Sequence, residues 1–159
     1  MFKPLTARAR ALCICALFAC CAHAQAQPQP QTPFNAPDFT GTYDCKGHDK
    51  IDGPYTGTIT LTLVPAQSTG PYGSYDFKLE VPGMGTYPGE AAAHGLDMAV
   101  HFANANTSAS ANTNAETHDF GTGIARFKHG LDGKWTFHKF NYQPQFKGGN
   151  HGKEECVQR

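Results

Sequence analysis

"YDFKLEV", residues 75–81, places Tyr75, Phe77, Leu79 and Val81 at alternate positions, with Asp76, Lys78 and Glu80 between them. Successive side chains of an extended strand point to opposite faces, so this segment has one apolar side and one wetted side. "TITLTL", residues 58–63, repeats the pattern with Ile59, Leu61 and Leu63, and "LDMAVHF", residues 96–102, repeats it with Leu96, Met98, Val100 and Phe102. One oily and one solvated face is the signature of antiparallel sheet, because parallel strands are covered on both faces. Further strands are expected over residues 39–45, 86–92, 119–128 and 134–142, with a last one near 153–157.

The punctuation between these runs fits a meander. Asp132-Gly133 separates two strand-like segments as a tight hairpin would. Pro82-Gly83 suits a type II turn, and Gly-Pro pairs at 53–54 and 70–71 mark further corners. No window has helical amphipathicity; residues 89–94 would make one turn at most. Seven or eight short strands with short links imply a small closed all-β barrel of lipocalin or avidin size, with a β-sandwich as the alternative. An open sheet without covering helices would leave its apolar face and both edges bare. In "KWTFHKFNY", residues 134–142, the aromatic side switches from Trp135 and Phe137 to Phe140 and Tyr142. A bulge near His138, or burial on both faces, would reconcile the two pairs.

The N-terminus has the three parts of an export signal. Lys3, Arg8 and Arg10 form a basic start, residues 11–21 are apolar, and Ala22-His23-Ala24 supplies small residues where a signal peptidase reads. The apolar run falls short of the roughly 20 residues that cross a bilayer. Cleavage after Ala24 is expected, leaving a Gln/Pro-rich tether over 25–37 and one domain over 38–159. The rival reading is lipid attachment: Leu17-Phe18-Ala19-Cys20 resembles a bacterial lipoprotein box, in which Cys20 would be acylated. Either route implies a periplasmic or secreted protein, or an outer-membrane lipoprotein.

Export changes the charge and the cysteine count. The chain carries 13 basic and 13 acidic residues, and three of the basic ones lie in the signal. The weak acidic surplus that remains lacks the concentrated basic patch that nucleic acid or an anionic membrane surface requires, so a membrane enters only through a lipid anchor. Of six cysteines, Cys13, Cys15, Cys20 and Cys21 belong to the signal region, leaving Cys45 and Cys156. In an oxidising compartment a lone pair is most simply a disulfide, and CxxC spacing for redox or metal chemistry is lacking.

The search for chemistry returns little. No serine sits in a GxSxG elbow, no HExxH or phosphate-cradling loop occurs, and nothing in the spacing singles out two of the thirteen carboxylates. Neither a catalytic residue nor a cofactor is assigned. His48, His94, His101, His118, His129, His138 and His151 are numerous but lack HxH or HxxxH spacing, and no metal ligand set is assigned. "NANTSASANTNA", residues 104–115, reads as a long mobile hairpin loop, and "KGGNHGKEEC", residues 147–156, as a flexible lead-in to Cys156. Consecutive amides in that lead-in are also a weak candidate for an anion nest. The aromatics Tyr43, Tyr75, Phe77, Trp135, Phe137 and Tyr142 are the candidate ligand-binding residues, although the same side chains would serve to fill a barrel of this size. "FTGTYDC", residues 39–45, distantly resembles the Gly-x-Trp opening of lipocalin- and avidin-like barrels, with Tyr43 at the tryptophan position; no binding residues are carried across.

The expectation is therefore an exported bacterial, non-catalytic β-domain that binds a small ligand. The alternative is a periplasmic inhibitor or immunity protein that binds another protein. Neither ligand nor partner is identified by the sequence.

Overall fold

The computed structural model describes residues 32–105 and 119–159. The expected signal over 1–24, Cys20, the first part of the expected tether and most of the expected 104–115 loop lie outside the described residues. Eight strands follow one another: β1 Gly41–Asp49, β2 Gly53–Leu63, β3 Tyr72–Val81, β4 Gly85–His94, β5 Asp97–Ala103, β6 Phe120–His129, β7 Trp135–Gln143 and β8 Asn150–Gln158. Each pairs antiparallel with the next, and β8 returns to β1, closing the barrel. Closure removes the free edges that made an open sheet untenable. At the β3–β4 corner Gly83 takes φ 79°, a value that disfavours any side chain, and Met84 N–H donates to the Val81 carbonyl at 3.0 Å.

The alternation read from the sequence places the core. Ile59 and Leu61 on β2, Tyr75, Phe77, Leu79 and Val81 on β3, and Met98, Val100 and Phe102 on β5 all point inward and are buried. Leu96 lies outside β5, in the β4–β5 turn, and is exposed. Small residues alternate with large ones round the interior, as a narrow barrel requires. One spiral of direct cross-strand partners runs Gly73, Ala93, Met98, Ala125, Lys139, Glu154, Gly47, Tyr55.

Three expectations are corrected. First, β7 has neither a bulge nor two buried faces. Its pairing is continuous from Trp135 to Gln143; Phe137, Lys139, Asn141 and Gln143 point inward, and Phe140 and Tyr142 stand outside, 43% and 46% exposed. Second, residues 150–156 are no flexible lead-in but most of β8, the strand that closes the barrel. Third, residues 89–94 are strand, within β4.

The end of the barrel where β1 starts is stopped by the N-terminal segment. Phe39 is fully buried, stacked on Phe127 at 4.0 Å and edge-on to Trp135 at 5.0 Å. Its N–H donates to Tyr75 Oη at 3.1 Å, and its carbonyl accepts from Tyr43 Oη at 2.7 Å. Upstream, the Thr32 carbonyl accepts from Gly70 N–H and Thr69 Oγ1, and Asn35 N–H donates to the Gly70 carbonyl, so this part of the segment lies along the β2–β3 connection.

Cys45 and Cys156 are direct cross-strand partners on β1 and β8, joined by a disulfide across a sequence separation of 111. Closing a loop of that length in the unfolded chain is worth about 4–5 kcal/mol in the chain-entropy account. A Cys45→Ser/Cys156→Ser variant is expected to lose most of that stability in urea unfolding while keeping its β-sheet spectrum. Equal stability of the two proteins would place closure in the hydrogen-bonded seam alone.

Candidate functional site

The interior divides into two halves along the barrel axis. Towards the stoppered end, Tyr43, Tyr75, Phe127 and Phe137 pack with Phe39; Tyr43 and Phe137 stand 5.1 Å apart, Phe127 and Phe137 4.7 Å. Of the sequence-derived candidates, Tyr43, Tyr75 and Phe137 fill this half and Trp135 lies half-buried at its rim. Phe77 is buried nearer the middle. Tyr142 points away from the interior altogether, because its neighbours Asn141 and Gln143 take the inward positions.

The other half, at the ends of β1, β3, β5 and β7, is polar. Lys139 on β7 and Glu154 on β8 are direct partners, and their side chains are each only 1% exposed. Lys139 Nζ lies 2.9 Å from Glu154 Oε2 and 5.1 Å from the centroids of both Phe77 and Phe102. The ammonium thus has a carboxylate and two ring faces to offset its lost hydration. Glu154 Oε1 accepts a short hydrogen bond from Tyr55 Oη. That reach depends on Gly47, which lies between Tyr55 and Glu154 in the register. A Cβ on Gly47 would collide with the Tyr55 ring, which crosses the bare backbone there.

Further towards this end, a chain of amides and carboxylates joins β1, β7, β8 and the residues that flank β5 and β6. Asn150 Nδ2 donates to Asp49 Oδ2 at 2.6 Å and to Gln143 Oε1 at 2.9 Å. Gln143 Nε2 donates to Asp119 Oδ1 at 2.5 Å, and Asn104 Nδ2 to Asp119 Oδ2 at 3.0 Å. Asp49 Oδ1 also accepts the N–H groups of Ile51 and Asp52, which fixes the β1–β2 turn. Buried polar groups are costly unless partnered, and this network supplies partners for most of them.

It does not supply all. Asn141 Oδ1 and Asn150 Oδ1 are buried without a hydrogen bond, and Lys139 Nζ and Glu154 Oε2 meet as charges without hydrogen-bond alignment. All four residues line a chamber of about 30 Å³, together with Tyr55, Tyr87, Phe102 and Gln143 and, at its rim, Met84 and Phe146. A space of this size admits one or two water-sized groups. Sequence periodicity missed Lys139, Glu154, Asn141 and Asn150 because it assigns polar residues to the wet face, and missed Tyr55 because β2 begins at Gly53, ahead of the alternating run 58–63.

Among the described residues the grouped candidate ligands are Cys45, Cys156 and Glu154, and both sulfurs are committed to the disulfide. The six described histidines are exposed. Lys147, Gly148 and Gly149 form a tight turn with positive φ, and Lys147 Nζ lies 3.3 Å from Asp52.

Lys139→Met leaves Glu154 buried without its counter-charge and is expected to cost about 3–5 kcal/mol in urea unfolding. The double variant Lys139→Met/Glu154→Gln recovers most of that loss. A single variant as stable as the parent would mean that the pair is not held away from water. Burial, and then the nearby Asp119 carboxylate, push the Tyr87 phenol up to about 12, while burial and Glu154 hold Tyr55 higher still. A raised tyrosine pKa stabilises the fold fully below the unfolded value of about 10 and progressively less as pH climbs towards the folded value. Stability is therefore expected to decline from about pH 10 upward, with buried tyrosines ionising only as the barrel opens. Phenolate absorbance followed alongside circular dichroism checks this; complete ionisation within an intact barrel would contradict it. No protein-family model matches the chain, and no curated protein matches its sequence.

Proposed function

We propose that this chain is an exported bacterial β-barrel that acts by binding, not catalysis, and that its ligand is small and polar, held at the mouth formed by β1, β3, β5, β7 and the turns beside them. The observation that carries this reading is the pair of buried amide oxygens left without hydrogen bonds at the chamber, Asn141 Oδ1 and Asn150 Oδ1, beside the Lys139–Glu154 ion pair. Folding has placed these groups out of water at a cost of about 1–3 kcal/mol for each one left unmade, and a ligand group that partners them recovers that cost on binding. The aromatic half supplies rigidity instead, since its side chains pack against one another.

A protein-binding role is the second reading, supported by a different feature. Ala92, Ala99, Ile124 and Phe140 are successive cross-strand partners on the outer face, and Ile124 is 67% exposed. With Tyr142 they line a shallow outer concavity of about 630 Å³.

Native mass spectrometry of the protein taken from its own cell envelope separates the two. The expected result is a small molecule that leaves on denaturation, seen together with the signal-cleavage site or an acyl chain on Cys20. A bound protein with no small molecule would favour the outer face. A bare, unliganded mass under gentle conditions would count against the mouth as a ligand site.

A further inference from the structure

The unpaired atoms at the mouth define the chemistry of what enters, if the mouth is the ligand site proposed above. Two acceptor oxygens, Asn141 Oδ1 and Asn150 Oδ1, have no donor, and beside them Lys139 Nζ and Glu154 Oε2 hold each other as an ion pair at 2.9 Å. An ammonium ion would supply donors and would suit the carboxylates, but in a chamber of about 30 Å³ it would have to sit against the Lys139 charge. A carboxylate or phosphate would suit Lys139 but would meet Glu154, Asp49 and Asp52, which line the same chamber, with Asp119 hydrogen-bonded just beyond through Gln143. A hydroxyl carries no charge and both donates and accepts, so it can donate to the amide oxygens without opposing either member of the ion pair.

One hydroxyl donates one proton, and two amide oxygens await donors. We infer that the mouth binds a neutral polyol of the saccharide class, with adjacent hydroxyls inserted among Asn141, Asn150, Lys139 and Glu154 and its carbon skeleton against Met84 and Phe146. The fixed surroundings suit that task. Asn150 is held through its Nδ2 by Asp49 and Gln143, which leaves its Oδ1 presented to the chamber, and Lys139 is steadied by Glu154 and two rings. Preset partners lower the ordering cost of binding.

Side-chain amide resonances of Asn141 and Asn150 give a direct readout in the folded, disulfide-bonded protein. Glycerol and glucose are the polyol probes; ethylammonium and acetate are the charged ones. Saturable shifts of both amides with a polyol, absent with the charged probes, are expected. Asn141→Leu, shown to be folded by its thermal transition, should weaken the polyol about tenfold, the size of one lost buried hydrogen bond. Saturation by ethylammonium or acetate but not by polyols would overturn the saccharide assignment while leaving a small-ligand site at the mouth. No saturable shift with any probe would mean that the chamber holds water only, and both readings would fall.

Discussion

The pairing of β8 with β1 is the constraint on which this molecule depends. In a meander every other neighbour is supplied by the next hairpin, so the seam is the one place where residues far apart in sequence must find each other. It aligns Cys45 with Cys156 and, two residues along the same faces, Gly47 with Glu154. The covalent bond and the buried carboxylate are thus products of the same register. A one-residue slip would turn both outward, because side chains alternate across the sheet.

From that register the interior follows as two materials in one tube. Aromatic rings stacked under Phe39 make one half dry and rigid. The other half holds charges and amides that are individually expensive to bury and are tolerated because nearly each one is another's partner. Lys139 and Glu154 lie where the two meet, with ring faces on one side and the chamber on the other. The dry half keeps water from the charged pair on its inner side, which strengthens their attraction. In return the polar half spends core volume on groups that do little for stability, which is the usual sign that a site serves something besides folding.

Much of the fold was legible because alternation in "TITLTL", "YDFKLEV" and "LDMAVHF" reports the pleat directly. The disulfide followed from having two cysteines beyond the expected signal, and the turns followed from Pro82-Gly83 and Asp132-Gly133. The site was not legible, since the rule that finds strands assumes that oily residues face in. On β7 that assumption pulled Phe140 and Tyr142 towards the core. The trace that contradicted it was parity. Counting by twos from Phe137 gives Lys139, Asn141 and Gln143, and counting back from the buried Cys156 gives Glu154, Gly152 and Asn150. Two strands agreeing on a polar inner face is stronger than one aromatic pair. Gly47 carried a second trace, because a glycine inside a strand leaves room for a neighbouring ring to cross it.

Since Phe39 rests on side chains from β6 and β7, and β1 completes its ladder only on β8, the beginning of the domain cannot settle until its end has been made. A growing polypeptide delivers seven strands before the one that gives the first its second neighbour. During that interval both outer strands offer unpaired amides and the aromatic stopper has no finished seat. The hairpins can form as they emerge, but closure at the seam is a late event, since that one pairing spans most of the chain. A holding factor that shields the waiting strands would matter more to this protein's yield than any gain in the stability of the finished barrel.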